Sequence, residues 1–271
     1  TFNGEVYSEN CRDFVTGGTF SHPTVLDYLG NNADITINLD KDYNRANDYR
    51  GANDNRGRDG FTIENTQKVV MNLGEYTFKT PSLAVDKGGA LLVNLPDGGG
   101  VAPESDKAFL ALGRSLDLND IGKLRVGTVS SSNAAAAFGA DSTLVVDGKA
   151  ASDQAMITGS GELSVADGAQ LYIANAEANT DYIITEGLTS GEGEYWTEAN
   201  LLANRLIKAT ISRDGDAVMV ETEVKDVTSA LPGVIPVSGL TGMLAQNLNN
   251  TDSSSMGIRF LSRAVQPLYM G

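Results

Sequence analysis

The chain has 271 residues and a formal net charge of −15, from 35 acidic and 20 basic side chains, which argues against nucleic acid or an anionic membrane as its main partner. A single cysteine, Cys11, excludes an internal disulfide and a cysteine-based metal cluster, and a single histidine, His22, removes most metal and acid–base chemistry. With 41% apolar residues, 7% aromatic residues and 30 glycines, the composition is typical of a chain with many turns and a thin core, and it lacks the run of about 18 apolar residues that a membrane-spanning helix needs.

The first element with a clear period is a strand over residues 33–39. Ile35, Ile37 and Leu39 alternate with polar residues, so they share one face of an extended segment. The residues before this strand have no period that predicts an element.

Residues 40–60 form the most polar segment of the chain. Their composition cannot build a core, so we expect a solvated excursion between strands. A calcium loop of the EF-hand kind would need a glycine at its sixth position and a glutamate at its twelfth, and no frame provides both. We therefore favour an exposed, adhesive loop over a metal site. Its candidate contact residues are of types common at binding hot spots: Tyr43, Arg45, Tyr49 and Arg50.

A template of apolar residues around a turn occurs three times. The clearest copy, within residues 159–174, has two alternating runs separated by an Asp-Gly turn. A second copy lies eighty positions earlier, and a third, without the glycine, lies 22 residues before the second. This spacing falls in the range of repeat architectures, so the sequence predicts a coiled stack of short strands with the template residues inward. The template positions are Leu163, Val165, Gly168, Leu171 and Ile173; Leu83, Val85, Gly88, Leu91 and Val93; and Phe61, Ile63, Thr66, Val69 and Met71.

Further strands are predicted around these copies. Residues 74–80 alternate, with Tyr76 and Phe78 on one side, and residues 123–129 and 142–148 have the same character. The prolines and glycines that begin residues 96–110 interrupt the pattern, so this segment is predicted to be a second loop.

The last predicted elements are a short helix and a hairpin. Trp196, the single tryptophan, precedes Thr197, a suitable N-cap for a helix over residues 197–206. Two alternating runs flank Asp214 and Gly215, which predicts a β-hairpin with its turn there. We interpret Trp196 as a core residue, with a binding role as the alternative.

Patterns for catalysis are weak. A serine hydrolase would need Ser160 and His22 together, but the glycines beside Ser160 do not form the G-x-S-x-G frame. Two carboxylate pairs have the residue types for glycoside cleavage, although such pairs also arise by chance in an acidic chain. They are Asp214 with Asp216 and Glu192 with Glu194. We therefore predict a protein that is not an enzyme and that binds no cofactor or metal.

Several segments of the C-terminal third occur together in one known family. They are residues 159–163, residues 181–187, Trp196, the turn at residues 213–216 and the tail at residues 256–264. In this combination they resemble the end of the passenger domain of bacterial autotransporters, the type V secretion family. The resemblance covers residues 159–271, is compatible with residues 61–158 and does not extend to earlier residues.

The resemblance implies an all-β fold, a right-handed parallel β-helix with a C-terminal cap made of a β-hairpin and a short helix. It divides the chain into a β-helix passenger with protruding loops (1–158), an autochaperone-like cap (159–230) and a linker (231–271) towards a translocator β-barrel that this chain does not contain. In that family the cap is a stable module on which the rest of the passenger folds. Trp196, Asp214 and Gly215 would belong to it.

The resemblance also implies a function in adhesion or aggregation. The protein would be exported through the periplasm and across the outer membrane, then displayed at the bacterial cell surface or secreted. Its partners would be its own translocator barrel and a host or neighbouring-cell surface. Two alternatives stay open. One is a β-helical polysaccharide lyase or hydrolase, which would need Asp, Lys and Arg stacked at one rung period, and the other is a display scaffold whose binding function lies in another part of the protein.

Overall fold

The computed structural model describes residues 15–48, 60–129, 133–190, 195–201 and 207–225. Its strands are β1 (Val15–Phe20), β2 (Leu29–Asn38), β3 (Tyr43–Asn44), β4 (Phe61–Ile63), β5 (Lys68–Asn72), β6 (Phe78–Lys79), β7 (Ser82–Val85), β8 (Ala90–Val93), β9 (Ala108–Leu112), β10 (Leu116–Asp117), β11 (Lys123–Val126), β12 (Ala136–Phe138), β13 (Ser142–Asp147), β14 (Ile157–Val165), β15 (Gln170–Ala174), β16 (Asp181–Thr189), β17 (Ala199–Leu201), β18 (Ile207–Asp214) and β19 (Ala217–Val224). The short helices are α1 (Arg45–Asp48), α2 (Leu118–Ile121) and α3 (Gly148–Asp153), with 3-10 segments at Pro23–Tyr28 and Gly98–Gly100.

Two large sheets contain most of these strands. The first sheet has the order β1-β2-β5-β8-β9-β13-β15-β17, and the second has the order β4-β7-β11-β12-β14-β16-β19-β18. The β16–β19 and β18–β19 pairs are antiparallel, and the other neighbouring strands in the described residues, including β14 and β16, run parallel. From β13 to β17 the chain alternates between the two sheets, because a parallel neighbour can be reached only through a crossover. The predicted all-β class is confirmed, and its sheets are largely parallel.

The register of the second sheet aligns the three copies of the template. Leu83 pairs with Phe61 on one side and Leu124 on the other, and the row continues through Ala136 to Leu163. A second row, two residues further along each strand, passes through Ile63, Val85, Val126, Phe138 and Val165. All of these side chains are buried, which agrees with the prediction for the template residues among them. Identical template positions therefore lie in the same row even where two strands separate the copies.

The first sheet repeats this arrangement with the second half of the template. One row contains Val69, Leu91, Leu110, Leu144 and Leu171, and the parallel row contains Met71, Val93, Leu112, Val146 and Ile173. These side chains belong to the same continuous core as the rows of the second sheet. The core thus extends along the stacking direction, and each strand contributes two or three apolar side chains to it.

The first sheet also buries part of its outer face. Val70, Leu92, Ala111 and Val145 point away from the main core and form a second apolar cluster. The segment that was predicted to be a loop over residues 96–110 packs on this face, and Gly98, with a φ of +60°, lies against the ring of Phe109. A side chain at Gly98 would approach that ring to 3.1 Å, so the glycine permits the close packing. The end of the predicted loop is strand β9, which begins at Ala108.

Other sequence predictions are confirmed in part. The strand at residues 33–39 corresponds to β2, which starts earlier, at Leu29, and the strands predicted at 123–129 and 142–148 correspond to β11 and β13. Of residues 74–80 only Phe78 and Lys79 form a strand, because Gly74 adopts a positive φ of +58° and turns the chain. Strand β12 was not predicted, since its alanines carry no alternating pattern.

The C-terminal elements include one error of prediction. The hairpin of β18 and β19 is confirmed: Asp214 pairs with Ala217, and Gly215 in the turn has a φ of +62°. The helix predicted for residues 197–206 is wrong over its described part, because Ala199–Leu201 form strand β17 and pair with β15. Residues 202–206 lie outside the described residues. The open edge of β15 supplied backbone partners that outweigh a weak local helix preference.

Strand β14 crosses the predicted boundary between residues 158 and 159. It starts at Ile157 and pairs with β12 on one side and β16 on the other. The two predicted segments therefore share one continuous core, in which side chains of both are packed together. The predicted linker at residues 231–271 lies outside the described residues.

Candidate functional site

The predicted contact residues Tyr43 and Arg45 are buried. Each is 1% exposed, so neither presents its side chain to a partner, and the expectation that residues 40–60 are a solvated excursion is wrong at this point. Tyr43 belongs to β3, which pairs with β6, and Arg45 starts helix α1. Tyr49 and Arg50 lie outside the described residues. The physical reason for the error is that a charged residue can enter a core when its partners come from distant parts of the chain.

Asp27 is that partner for Arg45. Arg45 Nη1 donates to Asp27 Oδ2 at 3.0 Å and Nη2 donates to Oδ1 at 2.8 Å, which makes a two-point ion pair with a carboxylate that is 9% exposed. The guanidinium also lies 3.9 Å from the centre of the Phe61 ring, in cation–π geometry. Burial by itself lowers the pKa of Arg45, but the hydrogen bonds and charge of Asp27, together with Tyr43, outweigh it and raise the pKa above its ordinary value. Arg45 therefore stays charged inside the core.

An aromatic cluster surrounds this ion pair. The Tyr43 and Phe78 rings are stacked with their centres 5.7 Å apart, and Phe61 stacks on Phe78 at 5.8 Å. His22 meets Tyr43 edge-on at 5.2 Å, and its Nδ1 lies 2.9 Å from Thr24 Oγ1. The cluster is a structural unit that joins β3, β4 and β6 to the N-terminal segment.

The residues considered for catalysis do not form a site. His22 is buried in the aromatic cluster, whereas Ser160 is exposed on β14. Asp214 and Asp216 lie at the exposed hairpin turn. Glu192 and Glu194 are outside the described residues. Within the described residues, no group of three or more His, Cys, Asp or Glu side chains has the geometry to hold a metal ion.

Trp196 is buried, which agrees with its interpretation as a core residue. It is 1% exposed, and its ring meets Phe138 at 4.7 Å between centres with an interplanar angle of 61°. Phe138 belongs to β12, so Trp196 reaches back across the core from the segment between β16 and β17. Its contact with the parallel part of the structure favours a role in holding the C-terminal elements in place.

A polar cleft lies where one row of short strands is interrupted. Strands β3 and β6 form a separate pair, while β10 pairs with the start of β14, and no backbone ladder joins β6 to β10. Helix α2 occupies the gap: its Asp120 accepts a backbone hydrogen bond from Thr80 at 2.9 Å. The resulting cleft has a volume of about 240 Å³. Its lining residues are Leu73, Tyr76, Thr77, Phe78, Arg114, Ser115, Leu116, Asp117, Asp120, Ile121 and Gln154.

The charged side chains of this cleft are held by the protein itself. Arg114 Nη1 donates to the backbone carbonyls of Gly74, at 2.6 Å, and Tyr76, at 3.1 Å, and so connects the two sides of the gap. Asp117 Oδ1 caps helix α2 by accepting from Asn119 N at 2.9 Å and Nδ2 at 2.8 Å. Asp120 Oδ1 pairs with Lys79 Nζ at 2.8 Å. This pair raises the pKa of Lys79 through the hydrogen bond and the charge of Asp120.

No pattern in the sequence predicts this cleft. Asp117 and Gly122 on either side of residues 118–121 are a recognisable helix start and stop, but they do not reveal a binding surface. Arg114 contacts carbonyl groups 40 and 38 residues earlier in the chain, and no local pattern encodes such contacts. The chemistry available is that of fixed carboxylate acceptors, guanidinium donors and the half-buried Tyr76 ring above an apolar floor.

No protein-family model matches the chain, and no curated protein or solved structure matches it significantly. Separately, no helix in the described segments is long and apolar enough to cross a membrane.

Proposed function

We propose that the chain is the passenger of a bacterial type V autotransporter, built as a right-handed parallel β-helix with a C-terminal cap, and that it serves adhesion or aggregation. The parallel rows of template residues support the β-helix, because each coil of such a fold places the same template position over that of the neighbouring coil. The protein would be exported through the periplasm and displayed at the cell surface or secreted. Its partners are its own translocator and a host or neighbouring-cell surface.

The observation that carries this proposal is the way the parallel second sheet ends. Strand β16 pairs parallel with β14 on one side and antiparallel with β19 on the other, and β18 then completes the hairpin. A parallel edge otherwise exposes unpaired backbone groups to further strands, and a local hairpin pairs with that edge and leaves β18 as the outermost strand. Thr222 strengthens this junction, since its single hydroxyl proton lies between the carbonyl oxygens of Glu177 and Thr180, which are 2.7 and 2.8 Å from Oγ1. These features suit a cap on which preceding coils fold.

We assign the protein a structural and interaction role in preference to catalysis. The polysaccharide lyase or hydrolase alternative needs acidic and basic side chains at one rung period that are available to substrate. In the polar cleft, one oxygen of Asp117 caps a helix, and Asp120 is paired with Lys79. This arrangement favours fixed binding groups over groups that exchange protons.

Surface display of the complete gene product tests the proposal. Intact bacteria that express it should lose the passenger to an externally added protease, while a periplasmic marker protein survives. Accumulation of the chain in the periplasm or cytoplasm of wild-type cells would refute export to the surface.

Two variants of the hairpin test the capping role in the same assay. Val220→Lys places a charge at a buried position of β19, and Thr210→Lys places the same charge at an exposed position of β18 opposite Glu221. We expect V220K to reduce the amount of displayed protein strongly and T210K to leave it unchanged. Equal display of both variants would show that the hairpin does not act as a cap.

A further inference from the structure

The polar cleft between β6 and α2 has an apolar floor and a charged rim. Phe78, Leu116 and Ile121 are buried at its base, and the half-buried ring of Tyr76 packs against the same core. Arg114, Asp117 and Asp120 contribute the charged groups. Binding pockets for small molecules combine apolar contact surface with fixed polar groups that set orientation, and this cleft has both, with a lining that is more polar than apolar.

The charges of the cleft favour a neutral ligand. Asp117 and Asp120 would repel an anion, while Arg114 and the neighbouring Lys79 would repel a cation. A hydroxyl group avoids both conflicts, since it donates to a carboxylate and accepts from a guanidinium. Several hydroxyl groups on one small ring can therefore satisfy both kinds of group at once.

The polar groups are held in place before any ligand arrives. Asp117 uses Oδ1 for the helix cap, which leaves Oδ2 for a ligand, and Arg114 is held by two backbone carbonyls through Nη1, which leaves the donors of Nη2. Asp120 Oδ1 pairs with Lys79 Nζ, and because the lysine side chain is 48% exposed this contact fixes Asp120 less firmly. Fixing these side chains in advance reduces the entropy that binding would otherwise lose.

The cleft is partly open to solvent, and the space inside it fits one small ring. Its volume of about 240 Å³ lies below the roughly 300–1,000 Å³ of pockets that enclose drug-sized molecules. A six-membered sugar ring presents hydroxyl groups at its edge and an apolar C–H face that can lie on Tyr76.

From the shape, charge and fixed polar groups we propose that this cleft binds one neutral sugar residue, with its hydroxyl groups between Arg114 and the carboxylates of Asp117 and Asp120. The sugar is either a free monosaccharide or the terminal residue of a glycan. This inference does not depend on the proposed export, because it rests on the cleft alone. Failure of the surface-display test would leave it standing, and failure of sugar binding would leave the export proposal standing.

Binding of methyl glycosides to the full chain tests the inference. Saturation-transfer NMR with the methyl glycosides of glucose, galactose, mannose and N-acetylglucosamine should detect at least one ligand with a Kd of about 1 mM, which is typical for a ligand of so few atoms. Inorganic phosphate and calcium chloride should not displace it. Absence of binding by all four glycosides, or displacement by either ion, would overturn the inference.

Variants locate the binding in the cleft. Asp117→Asn removes the carboxylate but keeps an oxygen that can cap α2, so the fold is retained, and we expect the affinity to fall roughly tenfold. Asp147→Asn is the control outside the cleft: Asp147 precedes the short helix α3 without a side-chain cap hydrogen bond, and its Oδ1 accepts from Asn175 Nδ2 at 2.7 Å. If D117N lowers the melting temperature, Tyr76→Ser replaces it as the test, because the hydrogen bonds of Tyr76 to Leu73 and Arg114 use its backbone. Retained affinity in D117N and Y76S would overturn the assignment.

A glycan with the same terminal sugar distinguishes the two sources. If the natural ligand is a terminal residue, an oligosaccharide should bind at least as tightly as the methyl glycoside. If it is a free monosaccharide, the oligosaccharide should bind more weakly than the methyl glycoside because of steric exclusion, and both results support a sugar site. Binding of the oligosaccharide that D117N leaves unchanged would contradict it.

Discussion

At the scale of single residues, Arg45 is the clearest test of how the N-terminal part is held together. Its guanidinium joins Asp27 to the aromatic cluster of Tyr43, Phe61 and Phe78. Because both charges are buried, the pair is more important as a matched unit than as a source of net stability.

We expect Arg45→Met to lower the free energy of unfolding by about 3–5 kcal/mol, because it leaves Asp27 charged and nearly buried without its partner. Lys68→Met removes an exposed ion pair with Asp34, in which the charged atoms are 3.9 Å apart, and should change stability by less than about 1 kcal/mol. Urea unfolding of both variants measures the difference. A loss in R45M no larger than that in K68M would contradict the buried ion pair.

Asp86 and Asp141 give the second prediction at this scale, a pH dependence of opposite sign. Burial, followed by the charges of Glu64 and Asp141, raises the pKa of Asp86. Burial also disfavours the charged form of Asp141, but the hydrogen bonds from Thr128 N and Oγ1, both 2.7 Å, outweigh it and lower the pKa of Asp141. The charged form of Asp86 is thus disfavoured by folding, and that of Asp141 is favoured.

The sign of each effect follows from linkage. A raised pKa in the folded state makes the contribution of Asp86 unfavourable at neutral pH and removes this penalty as the pH falls through that pKa. A lowered pKa makes the contribution of Asp141 favourable above its unfolded-state value and loses it as the pH falls. We therefore expect Asp86→Asn to raise the melting temperature at pH 7 and Asp141→Asn to lower it, with both differences shrinking in acid. Melting curves at several pH values check this, and differences that do not change with pH would be inconsistent with it.

At the scale of elements, the parallel strands are specified by the inward row of each sheet. Val85 lies between Ile63 and Val126 and is fully buried, whereas Thr62 lies on the exposed side of β4. Side chains of a strand alternate between its two faces, so a shift of one position along the strand moves a substitution from the core to the solvent.

Val85→Asp should lower the free energy of unfolding by about 3 kcal/mol or more, because it buries an unpaired charge. Thr62→Asp introduces the same charge one strand away on the outer face and should stay within about 0.5 kcal/mol of the parent. Thermal or urea unfolding compares the two variants. If V85D unfolds at the same temperature or urea concentration as the parent, Val85 does not belong to the inward row.

At the scale of the whole molecule, the C-terminal strands supply backbone hydrogen-bond partners to the parallel strands that precede them. Strand β14 pairs with β12, and β15 pairs with β13, so a chain that ends at residue 158 lacks these partners. Parallel pairing needs a long crossover before the first hydrogen bond forms, whereas the hairpin of β18 and β19 is local. Stability and folding speed are therefore expected to depend on the C-terminal segment.

We predict that residues 1–158 alone refold more slowly than the full chain and aggregate, because the edges of β12 and β13 are exposed. Adding residues 159–225 should restore soluble folded protein, and Trp196 fluorescence should report the docking of that segment onto Phe138. Refolding yields from urea, measured at equal concentrations, check this. Refolding of 1–158 as fast and as completely as the full chain would falsify the prediction.

The sequence alone determined the alternating strands, the rows of the template and the hairpin. Leu83, Val85, Leu91 and Val93 were assigned to the core correctly, since the alternation of a strand is a local property that needs no knowledge of its neighbours. The turn at Gly215 is also a local property, because a hairpin turn needs a positive φ and glycine is the residue type that adopts it most readily.

Only the tertiary structure decided which polar residues are buried and which secondary structure forms where the sequence pattern is weak. Arg45 is buried because Asp27, 18 residues earlier, and Phe61 compensate its charge, and the segment after Trp196 forms β17 because β15 offers an edge. The cleft depends on Arg114 reaching carbonyl groups 38 and 40 residues away. Such contacts depend on which parts of the chain meet across the fold, and that information is absent from any local period of apolar residues.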